Sequence, residues 1–332
     1  MQEILPGIYL LTLSLEGFNP DSVNTYIIKT DDGLTSIDTG LDSPPSLESM
    51  NAQLAEIGAV FSDINQIIIT HSHIDHLGLI ARFRRSHPVR IIMHEKDLDL
   101  MRIRFAETDH YLPLTDRFLL THGTPASDLG QPDVLLPIPE GLFAVKPDIL
   151  LYGGEKLTIG QYNLEVIPSP GHSPGHIALY EPERKFIFSG DMLLPTIATN
   201  AAVHVQHMQN PLKQYADSLA TLKKLDIDLV LPGHEHVYSG PGRRIEDLLR
   251  KQQKKSTEIF RIFQDRQPRT AYQASLEIAR SPVAGISNWS KLLPMDRRFA
   301  VLQTISHLEA LKYEGKLKLD IRNGIHYYCL NG

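Results

Sequence analysis

The sequence reads as an α/β protein followed by a smaller α+β domain, and three observations predict this. Strand-like runs alternate with helix-period segments through residues 1–240. Four of those runs end directly in His or Asp clusters. The charge also changes sign near Ser239-Gly240-Pro241-Gly242. Residues 1–240 hold 16 Lys and Arg against 30 Asp and Glu, a balance of −14, while residues 241–332 hold 17 against 9, or +8. The expected domains are therefore 1–240 and 241–332.

Ile8–Leu13, Asn24–Lys29 and Leu34–Ile37 read as strands, the last two joined by a turn at Asp31-Asp32-Gly33. Leu47, Met50, Leu54 and Ile57 then recur at helical spacing after Pro44-Pro45. Ile67–Thr70 and Ile91–Met93 are further strands, with Leu77–Phe83 a short helix between them. Residues 95–147 form a long insertion, polar at its start and then carrying Tyr111, Leu114, Phe118 and Leu120. Long insertions of this kind act as lids, so a lid is expected here. Asn210 caps a helix opened by Pro211, with Leu212, Tyr215, Leu219 and Leu222 along one face.

The tail opens with an amphipathic helix. Ile245, Leu248, Ile259 and Phe263 mark its apolar side, and Arg250, Lys251, Lys254, Lys255 and Arg261 a basic opposite face. Thr270 and Gln273 form a capping box for a second helix. Asp296 is placed as the cap of a third, with Val301, Ile305, Leu308 and Leu311 on one face. Lys316–Ile321 and Ile325–Leu330 flank Asn323-Gly324, a strong hairpin signal. Three helices and a hairpin resemble a winged helix.

The chemistry sits in Thr70-His71-Ser72-His73-Ile74-Asp75-His76, a His-x-His-x-Asp-His run just past an apolar strand. Imidazole and carboxylate at this density suit a divalent cation. Three more strand-like runs lead into Gly171-His172, Gly190-Asp191 and Gly233-His234, where glycine suits a tight approach of the backbone to an ion. The seven candidate ligands sort into two sites: His71, His73 and His172 in one, Asp75, His76 and His234 in the other, with Asp191 bridging. His94, His204, His207 and His236 are assigned to packing or the surface. Two bridged ions would acidify a shared water toward a pKa of ~7, with Asp75 and Asp191 accepting its proton. Two divalent ions are expected, zinc first, with manganese or iron as alternatives.

This ligand pattern resembles the metallo-β-lactamase superfamily over roughly residues 1–240. The resemblance implies an αββα sandwich with a two-metal site at one edge of the sheets. It makes Asp38, in Ser36-Ile37-Asp38-Thr39-Gly40, a support behind the ligands. Pro170–His176 and Pro232–Glu235 look most like the glyoxalase II and lactonase branches. That implies a hydroxide attacking a thioester, lactone or other ester carbonyl. The tail looks like that of the lactamase-like protein 2 branch. Asp at position 191 departs from cysteine-liganded β-lactamases, and His73 from flavo-diiron proteins.

A metal-dependent nuclease using the basic tail is the first alternative, and a mono-iron sulfur dioxygenase the second. The acidic 1–240 segment disfavours a polyanionic substrate, so a small ester or thioester is expected rather than nucleic acid. The lone Cys329, the absence of a basic leader at Met1–Pro6 and the lack of a membrane-length apolar run point to the cytoplasm.

Overall fold

Four strands, β1 (Gln2–Leu5), β2 (Ile8–Ser14), β3 (Ser22–Thr30) and β4 (Gly33–Ile37), pair antiparallel in sequence order. β5 (Ile64–Ile68), β6 (Arg90–His94) and β7 (Ile149–Leu151) extend the same sheet in parallel. Parallel pairing needs crossovers. α1 (Pro44–Glu56) supplies the first, capped by the Ser43 side chain, and α2 (Ile74–Leu77) with α3 (Ile80–Ser86) the second. α4 (Glu95–Ala106), α5 (Thr108–Thr121) and α6 (Ala126–Leu129) follow β6. This computed structural model describes residues 1–16, 20–106, 108–129, 139–199, 201–205, 210–279, 289–292 and 294–332.

A second sheet holds β8 (Lys156–Ile159), β9 (Tyr162–Pro168), β10 (Ile177–Glu181), β11 (Phe186–Gly190), β12 (Leu229–Pro232) and β13 (Tyr238–Ser239) as consecutive neighbours. All its pairs are antiparallel except β11 with β12, which α7 (Pro211–Leu222) connects. Asn210 caps α7 as expected, its Oδ1 accepting the Lys213 N–H at 3.0 Å. The two sheets share one interior. Ile37, Ile68 and Ile92 from the first meet Val166, Leu179, Phe188 and Leu231 from the second. Full burial of such side chains contributes about 1.5–3 kcal/mol each.

Backbone bonds also tie the sheets where the candidate residues emerge. Ile177 N–H donates to Thr70 O at 3.0 Å, and Asn24 N–H to Gly233 O at 2.7 Å. The carboxyl ends of β5, β9, β11 and β12 thus meet at one rim. No helix among the described residues is long and apolar enough to cross a membrane.

The chain divides into two units. The first is Met1–Ala106, Pro137–Thr199 and Ser218–Ile245, and the second is Glu107–Leu136, Asn200–Asp217 and Glu246–Gly332. Residues 95–147 are shared between them: Leu98, Met101 and Leu142 are buried in the first, Leu119 and Leu129 in the core of the second.

The second unit takes most of α8 (Gly242–Ile262), then α9 (Ala271–Ala279), α10 (Pro294–Tyr313) and the hairpin β14 (Leu317–Arg322) with β15 (Ile325–Leu330). Phe263, Ala274, Val301, Ile305, Leu308 and Tyr328 form its interior. The Thr270–Gln273 box is reciprocal, with bonds of 2.9 and 3.2 Å. Asn323 and Gly324 hold the hairpin turn at positive φ, 50° and 77°.

Two expectations for the tail are corrected. Asp296 sits inside the first turn of α10, which Pro294 opens, so it complements the helix dipole rather than capping it. Lys255 leaves the solvent face: it lies one turn before buried Ile259 and donates to Gln303. Burial pulls its ammonium down to about 8.

Candidate metal centre

β5 ends at Ile68, and the chain then turns under a carboxylate from the neighbouring strand. Asp38, just past β4, accepts the Thr70 N–H at 2.8 Å and the Thr70 hydroxyl at 2.7 Å. It holds this position at φ +61°, a left-handed conformation that costs a non-glycine residue roughly 1–3 kcal/mol. His76 Nδ1 faces the same carboxylate at 2.8 Å. His71 Nδ1 reaches Thr70 Oγ1 at 3.1 Å, so Asp38 lies behind both rings. On the second sheet, His234 Nδ1 donates to Ser22 O at 2.7 Å. With these outer nitrogens engaged, Nε2 of His71, His76 and His234 turns inward.

The structure brings all seven expected side chains together in two groups. His71, His73, His172 and Asp191 form one, and Asp75, His76 and His234 the other. In the first, His71 Nε2, His73 Nδ1 and His172 Nε2 stand 3.0, 3.2 and 2.9 Å apart. In the second, His76 Nε2 and His234 Nε2 are 3.3 Å apart, and Asp75 Oδ2 is 3.3 Å from His234. Asp191 faces both groups: Oδ2 lies 3.4 Å from His172 and 3.6 Å from His234, and Oδ1 3.5 Å from His76.

A cation fits this set. Nitrogens sharing a tetrahedral zinc at ~2.05 Å stand roughly 3.3 Å apart, close to the spacing found here. Asp191 Oδ1 is buried without a hydrogen-bond partner, a costly state unless an ion completes it. The charges agree. Burial opposes ionisation of Asp191, yet His234, His76 and His172 outweigh it and hold the carboxyl well below its usual range. Burial likewise opposes charge on His76, but Asp191, Asp75 and Asp38 hold it up to about 10. His71 is pushed far down by burial and then by its imidazole neighbours. Solvent reaches the centre beside His73 and Asp75, the two partly exposed members.

Of the other histidines, His94 is buried outside both groups and accepts the Lys96 N–H at 3.2 Å, and His236 is exposed, as expected for each. His204 also lies outside both groups, and His207 falls outside the described residues. Sequence reasoning missed His176. Its Nε2 accepts the Asp191 N–H at 3.1 Å and its Nδ1 bonds to Ser169 Oγ at 2.9 Å, which fixes the backbone under Asp191. Gly190, at φ +47°, is what admits that ring: a Cβ there would lie 2.6 Å from His176 Nε2. Glu235 was missed too. It takes φ +67°, and its carboxylate accepts the Thr196 and Ile197 N–H groups at 2.9 and 3.1 Å, fastening the segment after Asp191. The repeated His in Gly171-His172-Ser173-Pro174-Gly175-His176 was the available signal for the first. Nothing local marks the second.

Residues 18–234 match the sequence profile of the Metallo-beta-lactamase superfamily. The chain is similar to "Probable metallo-hydrolase YqjP" of Bacillus subtilis, 28% identical over 79% of this chain and 82% of that protein. It is also similar to a "Beta-lactamase-like protein 2 homolog" of Drosophila melanogaster, 26% identical over 95% and 94%. The human "Acyl-coenzyme A thioesterase MBLAC2" is 25% identical over 52% of this chain and 56% of its own. Among solved structures, a metallo-beta-lactamase family protein from Thermus thermophilus superposes with a TM-score of 0.83 at 27% identity, covering 99% of this chain and all of that one.

Proposed function

Because the chain belongs to the metallo-β-lactamase superfamily, we propose that its seven converging donors hold two divalent ions and that it hydrolyses esters, thioesters first. It is an enzyme of that superfamily. In this reading His71, His73 and His172 hold one ion, Asp75, His76 and His234 the other, and Asp191 bridges. Asp191 carries the reading, with Oδ2 between His172 and His234 and Oδ1 buried without a hydrogen bond, 3.5 Å from His76. When bound, the ions supply Lewis acidity and an acidified water; zinc suits these donors, with manganese or iron as alternatives.

The chain's own residues do the rest. Asp75 is the carboxylate on the open side, its side chain 26% exposed, and would act as the base that takes the proton of the attacking water. Asp191, 9% exposed, orients that water from the closed side. Asp38 and Ser22 O engage Nδ1 of His76 and His234 and so orient each Nε2 toward the centre. The thioester preference rests on the relative named a thioesterase, and the −14 balance of residues 1–240 weighs against a polyanion at the centre. We read the three helices and hairpin of the second unit as a winged helix. The free Cys329 fits a reducing compartment, so a cytoplasmic location is retained.

Elemental analysis of protein purified without chelators should approach two metals per chain. The same sample should turn over acyl-thioesters faster than lactones, aryl esters or phosphodiesters. Fully metallated protein that cleaves phosphodiesters alone would replace this reading with the nuclease one.

A further inference from the structure

One buried carboxylate outside the seven donors gathers three hydrogen-bond donors from two loops. Asp97, in the first turn of α4, is 1% exposed. Its Oδ2 accepts the Ser72 N–H and the Ser173 hydroxyl, both at 2.7 Å, and its Oδ1 accepts the Gly175 N–H at 2.6 Å. Ser72 stands between His71 and His73, and Ser173 follows His172. The geometry points to Asp97 as a positioning residue that staples the β5–α2 loop to the β9–β10 loop and presets the spacing of His71, His73 and His172. The inference rests on the metal reading above and adds a residue that none of the candidate ligands touches through these bonds.

The local chemistry leaves little room for another side chain. A carboxylate offers acceptors only, and all three partners are donors. An asparagine would aim its amide N–H₂ at the Gly175 N–H in one orientation and at the Ser72 N–H in the other. Either way a donor faces a donor, so the loops separate or a buried group loses its partner. Gly175 is part of the device: a Cβ there would lie 2.5 Å from the Asp97 nitrogen and 2.8 Å from Oδ1. The bonds of Asp97 fall beside first-group ligands, at Ser72 between His71 and His73 and at Ser173 after His172, whereas Asp38 and Ser22 O hold the rings of His76 and His234 directly.

The test uses Co²⁺ on metal-free full-length protein, read by its visible bands and by chelator competition. Parent protein should take two equivalents; fewer would overturn the binuclear reading itself. Asp97→Asn should weaken one equivalent by roughly 10–100-fold and leave the other at parent affinity. Repeating it in a His234→Ala background, where the His71, His73 and His172 group remains complete, identifies which equivalent moved. Should Asp97→Asn not fold, Ser173→Ala removes one of the three donors and should weaken the same equivalent by a smaller factor. Asp148→Asn is the control for general loosening, since Asp148 holds Arg84 and the Ile91 N–H in the same unit. Parent-like Co²⁺ titrations of Asp97→Asn, or an equal loss in Asp148→Asn, would overturn the assignment.

Discussion

The rim of the first unit and the interior of the second both bury histidines completely, yet they treat them in opposite ways. His307 is 2% exposed and His71 0%. His307 Nδ1 has a private partner, Ser256 Oγ at 2.7 Å, and His122 Nδ1 donates to Phe118 O at 2.8 Å, with a single ring, His326, near its Nε2 at 3.4 Å. At the rim, by contrast, His71, His73 and His172 turn ring nitrogens on one another, and a carboxylate stands beside them. Burial lowers His307 to about 3 and His122 to about 4, whereas three aspartates lift His76 to about 10 against the same penalty. Neither burial nor a displaced pKa therefore separates site from scaffold. Convergence of several imidazoles and carboxylates on one point does.

The sharpest way to break that contrast is to remove Asp191, the acid common to both groups. Asp191→Ala should lower occupancy of both positions and reduce hydrolysis by roughly a thousand-fold. Full metal content and full activity in that variant would mean that the convergence is only packing. The matching experiment on the scaffold is His307→Gln, which should leave metal content and kcat unchanged.

Ligand removal extends the comparison to stability. Chelation should lower the thermal midpoint, and zinc added at a hundred-fold excess over its Kd should restore about 2.7 kcal/mol. The variant lacking Asp191 should show little of this zinc response.

Acid should act on the second unit in its own way. Folded His307 and His122 stay neutral down to about 3 and 4, while the unfolded chain takes up protons near 6.5. The unfolded state binds protons first, so their stabilising contribution is complete above pH 6.5 and is lost as pH falls toward about 4 and 3. By pH 5 the loss is about 2 kcal/mol for each ring. Urea midpoints of parent and His307→Gln between pH 7 and 5 should converge. Parallel curves would show that His307 does not set the acid limb.

How much of this was legible in the sequence depended on whether the signal was local. The seven donors each follow a strand-like run, and a period-2 strand ending in His or Asp announces itself. The supports do not. Asp97 acts on Ser72, Ser173 and Gly175 across 25 to 78 positions, mostly through backbone N–H groups that carry no residue signature. Glu235 bonds Thr196 and Ile197 in the same manner. Strand β10 was missed because Ile177–Glu181 is buried at every position and shows no alternation. The contribution of Leu119 and Leu129 to the second unit was hidden by their place inside a long insertion. Deleting residues 108–129 is accordingly expected to destabilise that unit by several kcal/mol, because it opens the core.

The smallest effect expected concerns the basic helix, where one residue of five was misplaced. Lys255 is partly buried and donates to Gln303, while Lys251 and Lys254 are exposed. Lys251→Glu and Lys254→Glu should each change stability by no more than about 0.5 kcal/mol. Lys255→Glu should cost about 2–4 kcal/mol, since it puts a carboxylate where burial already draws an ammonium down to about 8. Lys255→Met should be neutral or slightly stabilising, because it removes a buried charge and keeps the stem. If the exposed lysines instead recruited nucleic acid, the parent would bind single-stranded RNA with an affinity that falls steeply with salt. The Lys251 and Lys254 reversals would then abolish that binding while leaving the urea midpoint in place. Absence of a salt-dependent RNA affinity in the parent keeps the helix as scaffold.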